Sequence, residues 1–391
     1  MTAAQLRDPA QPAPVRDQTL QRGLDLLRER RFDEAEFPLT AALAKNPTGF
    51  EELHYLAVLR LQLGRQLEAL DLVNRALKQR GEAAEALALQ AFLRARIERD
   101  QETLVPDSAG RPAAASANSP PRWNGEYVAG TLLVLARPGI GEQILNASMV
   151  PELASYADRV VIEIEPRLVD LFARSFPHLR VVPVGNGAHC NADAQVTMSS
   201  LPRRLRPDWS AFPVRNQGFL TPDKARTAVL RERFASNGRV VIGLSWKSRD
   251  RKFANARSAL LLDFASILQV PNCCFIDLQH GDTHVERETA AREFGTAVER
   301  VDEIDTSRDI DGLAALMAAC DIVLSVSNTT AHLAGAIGRP TWVFAPCGQA
   351  RPWYWFEQCS DSPWYPYLRV KRQANGQSWA DLIAASASEI W

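Results

Sequence analysis

Small residues recur at one fixed interval near the start of the chain. Gly23, Ala57 and Ala91 are each 34 residues apart, and three further pairs keep the same spacing: Ala35 with Ala69, Ala42 with Ala76, and Pro47 with Gly81. A fixed period of this length is the sequence signature of stacked helical hairpins, in which small residues let the helices approach closely. The repeat therefore predicts an all-α module over residues 19–99, with a plain pair of α-hairpins as the simpler alternative.

The period of this module resembles that of the tetratricopeptide repeat (TPR). About two and a half repeats are visible, and helix-breaking residues close the units at Pro47 and Gly81. The large aromatic residue that often begins the motif is replaced by Thr19 and Leu53, so the repeats are degenerate.

The segments on either side of this module carry no apolar period. Residues 1–18 are expected to be disordered, and residues 100–124 begin with a Pro-, Ala- and Ser-rich stretch that is typical of a linker. The first residues lack the charged and apolar regions of an export signal, and no run of about 20 apolar residues could span a bilayer. We therefore expect a cytoplasmic protein without a membrane span.

The remainder of the chain alternates short apolar strands with helices. This pattern is typical of parallel βαβ units whose sheets are covered on both faces, so it predicts an α/β fold. The alternation falls into two groups separated near a turn at residues 236–239. We expect two Rossmann-like domains, at residues 125–235 and 236–391, facing each other across a cleft.

The first candidate site follows the first predicted strand of this region. Gly139 and Gly141 allow a tight turn, and Glu142 and Gln143 then open a helix at the carboxyl end of the strand, where open α/β sheets bind ligands. A dinucleotide fingerprint would require a glycine in place of Ile144, which argues against a dehydrogenase. Glu142 is either a catalytic group or only a carboxylate favoured by the helix dipole.

The second candidate site follows the strand at residues 322–326. Ser327, Asn328, Thr329 and Thr330 precede or open a helix of small residues, and His332 lies in its first turn. A helix N-terminus supplies backbone N–H donors, and the hydroxyl and imidazole groups add further donors. The pattern predicts a phosphate site, with simple N-capping by Ser327 or Asn328 as the alternative.

A basic run at residues 245–252, which includes Trp246, Lys247 and Arg249, follows another strand. Its cations either neutralise a diphosphate or form a solvated loop. The overall charge of −1 leaves no surplus that would favour nucleic acid as a partner. Asp309 and Asp311 match a metal-binding D-x-D pattern, but acidic residues are also common where a helix begins, and we favour that interpretation.

An aromatic cluster follows the strand at residues 341–345. Rings such as Trp353 either stack on a base or sugar in the cleft or pack a domain interface, and the sequence does not separate these roles.

Taken together, these motifs resemble those of bacterial TPR-fused glycosyltransferases, which are distantly similar to ADP-heptose:lipopolysaccharide heptosyltransferases and to O-linked N-acetylglucosamine transferases. The resemblance runs from residue 19 to about residue 372 and is most specific at residues 122–144, 241–258 and 321–344. The arrangement also looks like that of TPR-containing flagellin glycosyltransferases, which use nonulosonic acids such as pseudaminic or legionaminic acid.

The resemblance implies the two-domain GT-B architecture, with an acceptor domain followed by a nucleotide-sugar donor domain. It implies inverting transfer without an obligatory metal or other cofactor, in which Glu142 is the general base where relatives usually carry Asp. Lys247 and residues 328–332 would hold the donor phosphate. Asn328 stands where the heptosyltransferases often have Asp, which suggests a different donor.

The same resemblance implies a protein acceptor bound by the helical module, flagellin being one candidate, although that module would equally serve a homodimer. Three alternatives remain open. The chain could be a catalytically inactive scaffold, a heptosyltransferase-like enzyme acting on a saccharide, or a nucleotide-sugar epimerase.

Overall fold

A computed structural model of the chain describes residues 17–29, 31–63, 65–101, 120–137, 139–206, 211–235, 238–250, 252–356, 360–387 and 389. The chain divides into two compact units, residues 1–96 and 97–391. Residues 1–16 of the predicted disordered segment and residues 102–119 of the predicted linker lie outside the described residues. No described helix is long and apolar enough to cross a membrane.

The first unit consists of helices, as the 34-residue period predicts. The five helices of the region are α1 (Gln18–Arg28), α2 (Phe32–Lys45), α3 (Phe50–Gln62), α4 (Gln66–Gln79) and α5 (Ala84–Gln101). Helices α1 to α4 pack in sequential order, each on the next. The repeated small residues Ala35, Ala57 and Ala69 are fully buried in the core of this unit, whereas Ala91 is exposed on α5.

The second unit contains two parallel sheets. The first sheet has strands β1 (Val128–Leu135), β2 (Ala157–Ile164), β3 (Arg180–Pro183) and β4 (Ala194–Thr197) in the order β3-β2-β1-β4. Its helices are α6 (Ile140–Ala147), α7 (Val169–Ser175) and α8 (Leu201–Leu205). Helix α6 ends at Ala147, and the chain continues as a 3₁₀ helix at Val150–Ser155.

The second sheet has the order β10-β9-β8-β5-β6-β7, and all its neighbouring strands are parallel. Its strands are β5 (Val240–Ser245), β6 (Cys273–Asp277), β7 (Val298–Glu299), β8 (Ile322–Val326), β9 (Thr341–Ala345) and β10 (Leu368–Arg372). The helices are α9 (Lys224–Ala235), α10 (Ala265–Leu268), α11 (His284–Phe294), α12 (Ile310–Ala319), α13 (Thr329–Ala336) and α14 (Trp379–Ala387). The α/β class with two parallel sheets is thus confirmed.

One apolar core joins the two sheets. Leu132 and Ile144 of the first sheet and its helix belong to the same buried cluster as Ile276 and Leu316 of the second. Helix α9 packs against α12 and β5, although the predicted boundary at residue 236 assigns its sequence to the first domain. Helices α6 and α13 also pack together. Because α6 follows β1 and α13 follows β8, the carboxyl ends of these two strands lie close to each other.

Candidate functional site

A cavity of about 720 Å³ lies where the carboxyl ends of the two sheets face each other. Its walls come from the segments that follow β1, β2, β5, β6, β8 and β9 and from the start of α12. The carboxyl ends of parallel strands are the usual place for ligands in open α/β sheets. Among the residues predicted for the site, those that line this cavity are Gly139, Gly141, Glu142, Arg249, Ser327, Asn328, Thr329, Thr330 and His332.

The N-terminus of α6 forms one wall. Gly139 precedes the helix with φ 112° and ψ 100°, a conformation that side chains disfavour. Gly141 lies so close to α13 that a Cβ atom there would be 2.9 Å from His332 Cδ2 and 3.6 Å from Thr329 Oγ1. Glu142 lies in the first turn of α6 beside this contact. The two glycines therefore bring a carboxylate to the start of the opposite helix.

The N-terminus of α13 forms the facing wall. Thr329 and Thr330 occupy its first two positions, and Asn328 is its N-cap. Within the described residues, neither threonine hydroxyl has a hydrogen-bond partner. Two hydroxyls, the first backbone N–H groups and the positive end of the helix dipole thus converge on the cavity, a combination that favours an anion.

The side chain of Asn328 holds the site together. Its Oδ1 accepts hydrogen bonds from Ala331 N (3.2 Å) and Ser325 Oγ (3.0 Å), and its Nδ2 donates to Ser245 Oγ (2.8 Å) and to the Lys247 carbonyl (3.0 Å). These four bonds use every donor and acceptor site of the amide. Asn328 therefore caps α13 and ties it to the segment after β5.

His332 is 2% exposed and lies at the back of the cavity. Its Nδ1 is 2.7 Å from the hydroxyl of Tyr365, its ring stacks on Trp355 at a centroid distance of 5.3 Å, and the ring of Tyr354 meets it edge-on at 4.8 Å. Burial lowers the pKa of this imidazole to about 3, so His332 is neutral at physiological pH. Ser327, beside it, accepts a hydrogen bond from Trp355 Nε1 at 2.7 Å.

The basic run after β5 divides into two groups. Arg249 is exposed on the cavity wall and has no carboxylate partner among the described residues. The ammonium of Lys247 lies 2.5 Å from Glu286 on α11, and Lys247 is not part of the cavity lining. Of these two cations, Arg249 therefore lies on the cavity wall and Lys247 does not.

Three residues that the sequence places on the cleft lie elsewhere. Trp246 is fully buried in the core of the second sheet, where its Nε1 donates to Glu286. Gln143 is buried, donating to the Arg137 carbonyl and accepting from Glu165 N. Trp353 packs against the neighbouring aromatic rings, and Tyr354 is the member of that cluster that lines the cavity. Trp246 and Gln143 are buried and Trp353 is half-buried, and each depends on partners that local sequence does not reveal.

Several cavity residues were missed by the sequence analysis, among them His280, which follows β6. Gln279 Oε1 accepts hydrogen bonds from Ser245 Oγ, Trp246 N and Lys247 N, so its Nε2 is the donor in the 2.7 Å contact with His280 Nδ1. The proton of His280 is accordingly on Nε2. Burial and the charges of Arg249, Lys247 and Arg300 lower its pKa to about 4. The sequence did contain a signal for this residue, because the polar pair Gln279-His280 follows closely after the apolar strand β6.

The other carboxylates of the cavity are held by arginines. Glu165 accepts from Arg167 Nε at 2.7 Å, and Asp250 accepts from Arg257 at 2.9 Å. Arg167 also donates to the carbonyl of Ser307 at 2.8 Å and so links the segments after β2 and before α12. These two carboxylates therefore help to hold the segments after β2 and β5 in place at the cavity wall.

The two acidic residues at the start of α12 have the helix-start role that the sequence favours. Asp309 is the N-cap and accepts from Gly312 N, while Asp311 pairs with Arg174. No group of three or more metal-ligating side chains occurs among the residues that the structure describes.

No model of a known protein family matches the chain. Protein FlbA of Caulobacter vibrioides is 30% identical over 349 residues, a match that covers 81% of this chain and 57% of FlbA. The chain therefore spans little more than half the length of this relative.

Among solved structures, a family 9 glycosyl transferase from Veillonella parvula superposes with a TM-score of 0.50 at 12% identity, covering 68% of this chain and 98% of that one. The chain has a GT-B-like fold. The ADP-heptose lipopolysaccharide heptosyltransferase II of E. coli gives a TM-score of 0.48 at 14% identity, covering 66% of this chain and 96% of that one. In a GT-B arrangement, the cavity described above is the cleft between the two Rossmann-like halves.

Proposed function

We propose that the chain is an inverting glycosyltransferase that moves a sugar from a nucleotide-sugar donor to an acceptor hydroxyl. One observation carries this proposal: two helix N-termini meet in the cleft of a GT-B-like fold, one bearing Glu142 and the other Thr329 and Thr330. A base on one side and an anion site on the other are what direct displacement at an anomeric carbon requires.

The anion site would hold the donor phosphate. The start of α13 offers backbone N–H groups and two hydroxyls, and Arg249 adds a cation from the segment after β5. These groups are positioned before the reaction, so they can stabilise the charge that develops on the leaving phosphate. Lys247 would contribute a second positive charge only if its ion pair with Glu286 broke. The proposal requires no metal, because protein groups supply the positive charge.

Glu142 would act as the general base. It takes the proton of the acceptor hydroxyl while the oxygen forms a bond to the anomeric carbon, and the bond from that carbon to the phosphate oxygen breaks with its electron pair remaining on phosphate. Attack from the face opposite the leaving group inverts the anomeric configuration. The close approach of Gly141 to His332 and Thr329 supports this assignment, because it brings the start of α6, where Glu142 lies, to the start of α13.

The acceptor would be a protein recognised by the helical unit, and flagellin modified with a nonulosonic acid is the specific candidate. The TPR resemblance supports this assignment, since stacked hairpins present extended surfaces for peptides. The same surface would also serve a homodimer.

The first test is nucleotide binding. Thermal unfolding of the full chain would be followed with ADP, GDP, UDP, CDP and CMP, because a ligand that binds only the folded state raises the melting temperature. We expect one nucleotide to stabilise the wild type and to lose that effect in Thr329→Val/Thr330→Val and in Arg249→Ala. The matched control is Arg233→Ala, which removes an exposed arginine that pairs with Glu303.

Stabilisation that persists in the cleft variants would place the nucleotide elsewhere and contradict the proposal. Binding of no nucleotide would favour the inactive-scaffold interpretation. With the donor class known, transfer to flagellin would be compared with transfer to lipopolysaccharide saccharides, which separates the protein acceptor from the heptosyltransferase-like alternative. Conversion of the donor without an acceptor would indicate an epimerase.

A further inference from the structure

His332 presents its two ring nitrogens to different surroundings. Nδ1 faces the buried hydroxyl of Tyr365 at 2.7 Å. The opposite edge of the ring faces the cleft, since a Cβ atom on Gly141 would lie 2.9 Å from Cδ2 and 3.6 Å from Nε2. Nε2 is therefore the nitrogen that a ligand between α6 and α13 would meet.

The hydrogen bond between these two side chains has one favourable direction. Tyr365 is 3% exposed, and burial raises the pKa of its phenol well above the ordinary value, so it keeps its proton. Within the described residues, Nδ1 of His332 is the only hydrogen-bond partner of that hydroxyl. If Nδ1 carried a proton and donated, the buried O–H would lose its acceptor, at a cost in free energy. The phenol therefore donates to Nδ1, and the imidazole proton is on Nε2.

Packing holds both rings in place. Trp355 stacks on the imidazole with an interplanar angle of 15°. Tyr365 lies directly against α13, because a Cβ atom on Gly335 would be 2.6 Å from Tyr365 Cγ, and Phe219 stacks on its other side at 6.0 Å. Neither ring can turn without displacing its neighbours, so the hydrogen bond between them has a fixed geometry.

We propose that Tyr365 is a positioning residue that fixes His332 in the Nε2–H tautomer and so presents a neutral donor to the anion in the cleft. This inference rests on the proposed function, because that function identifies the anion as the departing phosphate. A neutral donor also suits the neighbouring base. An imidazolium beside Glu142 would stabilise the carboxylate and reduce its basicity, whereas a neutral N–H stabilises the leaving group without that penalty.

The test reads the tautomer directly. The full chain would be labelled with ¹⁵N-histidine, and two-bond ¹H–¹⁵N correlation spectra recorded without ligand at about pH 7, with the His332 signals assigned as those missing from His332→Gln. We expect the wild type to show Nε2–H. Tyr365→Phe should give mixed tautomers, because Nδ1 loses its donor while the ring packing remains. The matched control is Tyr367→Phe, whose hydroxyl donates to the Asn216 carbonyl, and it should leave the His332 spectrum unchanged.

A wild-type spectrum showing the Nδ1–H tautomer would overturn the inference, and this measurement does not depend on whether Tyr365→Phe folds. An unchanged tautomer in a folded Tyr365→Phe variant would overturn it too. The same variant should weaken binding of the stabilising nucleotide about three- to tenfold, the scale of one lost hydrogen bond. If the tautomer shifts as expected but no nucleotide binds the wild type, the positioning role is supported and the proposed function fails.

Discussion

At the scale of single residues, a polar side chain can bind a ligand only if its hydrogen-bonding groups are not already used within the protein. Lys247 and Asn328 are both of types that bind phosphate, yet one is paired with Glu286 and the other uses its whole amide within the protein. Arg249 and Thr329 remain open to the cavity instead. The residue type therefore limits which side chains could bind a ligand, and their hydrogen-bond partners in the structure decide which of them are open to the cavity.

Replacing Glu142 by Gln should slow sugar transfer by roughly 10²–10⁴-fold, the usual contribution of a positioned general base. The amide keeps the shape of the side chain but cannot accept the proton, so nucleotide binding should stay within about twofold of wild type. Both quantities would be measured on the same preparation, with initial rates for transfer and thermal shifts for binding.

Glu165→Gln is the matched control for this prediction, because Glu165 lines the same cavity but follows β2 and does not lie at the start of α6. We expect it to lose much less activity than Glu142→Gln. Equal losses in the two variants would argue that neither carboxylate is the base.

At the scale of elements, the site depends on how closely two helices approach. The starts of α6 and α13 belong to different sheets, and Gly141 provides the space for their contact. Each helix alone has an ordinary N-terminus. Together they bring Glu142 to the same cavity as Thr329 and Thr330, which neither sheet could do by itself.

Gly141→Ala should separate the two helix ends. The added methyl would lie 2.9 Å from His332 Cδ2, and that ring is held by Trp355 and Tyr365, so the helices must move instead. Overpacking of this kind destabilises proteins by about 1–3 kcal/mol, and nucleotide binding should be lost as well. Urea unfolding and thermal-shift binding would measure the two effects.

The control for this substitution is Gly81→Ala, where the new Cβ would be 3.7 Å from the Leu77 carbonyl, an ordinary contact. Stability should be unchanged or slightly raised there, by less than about 1 kcal/mol. Wild-type binding by Gly141→Ala would show that the helix contact does not build the site.

At the scale of the whole molecule, both sheets of the second unit enclose a common core, and that core includes a neutral histidine. His332 contacts rings from the segment after β9, and its helix packs on α6 of the other sheet. Burying an imidazole without a carboxylate partner couples folding to pH, because only the unfolded chain binds the proton easily.

The stability of the protein should therefore fall as the pH is lowered. The folded pKa of His332 is about 3 and the unfolded value is about 6.5, so its contribution is complete above about pH 6.5 and decreases toward pH 3. The loss by pH 5 is about 2 kcal/mol. Urea unfolding near pH 7.5 and pH 5 would show it.

In His332→Gln, the difference in unfolding free energy between the two pH values should be smaller by that amount. The control His284→Gln removes an exposed histidine of α11 and should keep the wild-type difference. The same pH difference in both variants would show that His332 is not the group that couples folding to protons.

The sequence by itself determined the features that depend on local periodicity. The 34-residue spacing predicted the helices, apolar runs located the central strands β5, β8 and β9, and the start of α12 at Asp309 was interpreted correctly, because caps and strand patterns are formed by neighbours along the chain. It also located the two turns, after β1 and β8, that line the cavity.

Only the tertiary structure decided the rest. The edge strands β4, β7 and β10 lack a continuous apolar run, so the apolar pattern that located the central strands does not mark them. Burial of Trp246, the pairing of Lys247 with Glu286, and the entry of His280 into the cleft all depend on partners about 30 to 40 residues away or more. The tautomer of His332 depends on Tyr365, 33 residues further along the chain. Such contacts form only when the layers pack, because packing removes water from some polar groups and leaves others to bind a ligand.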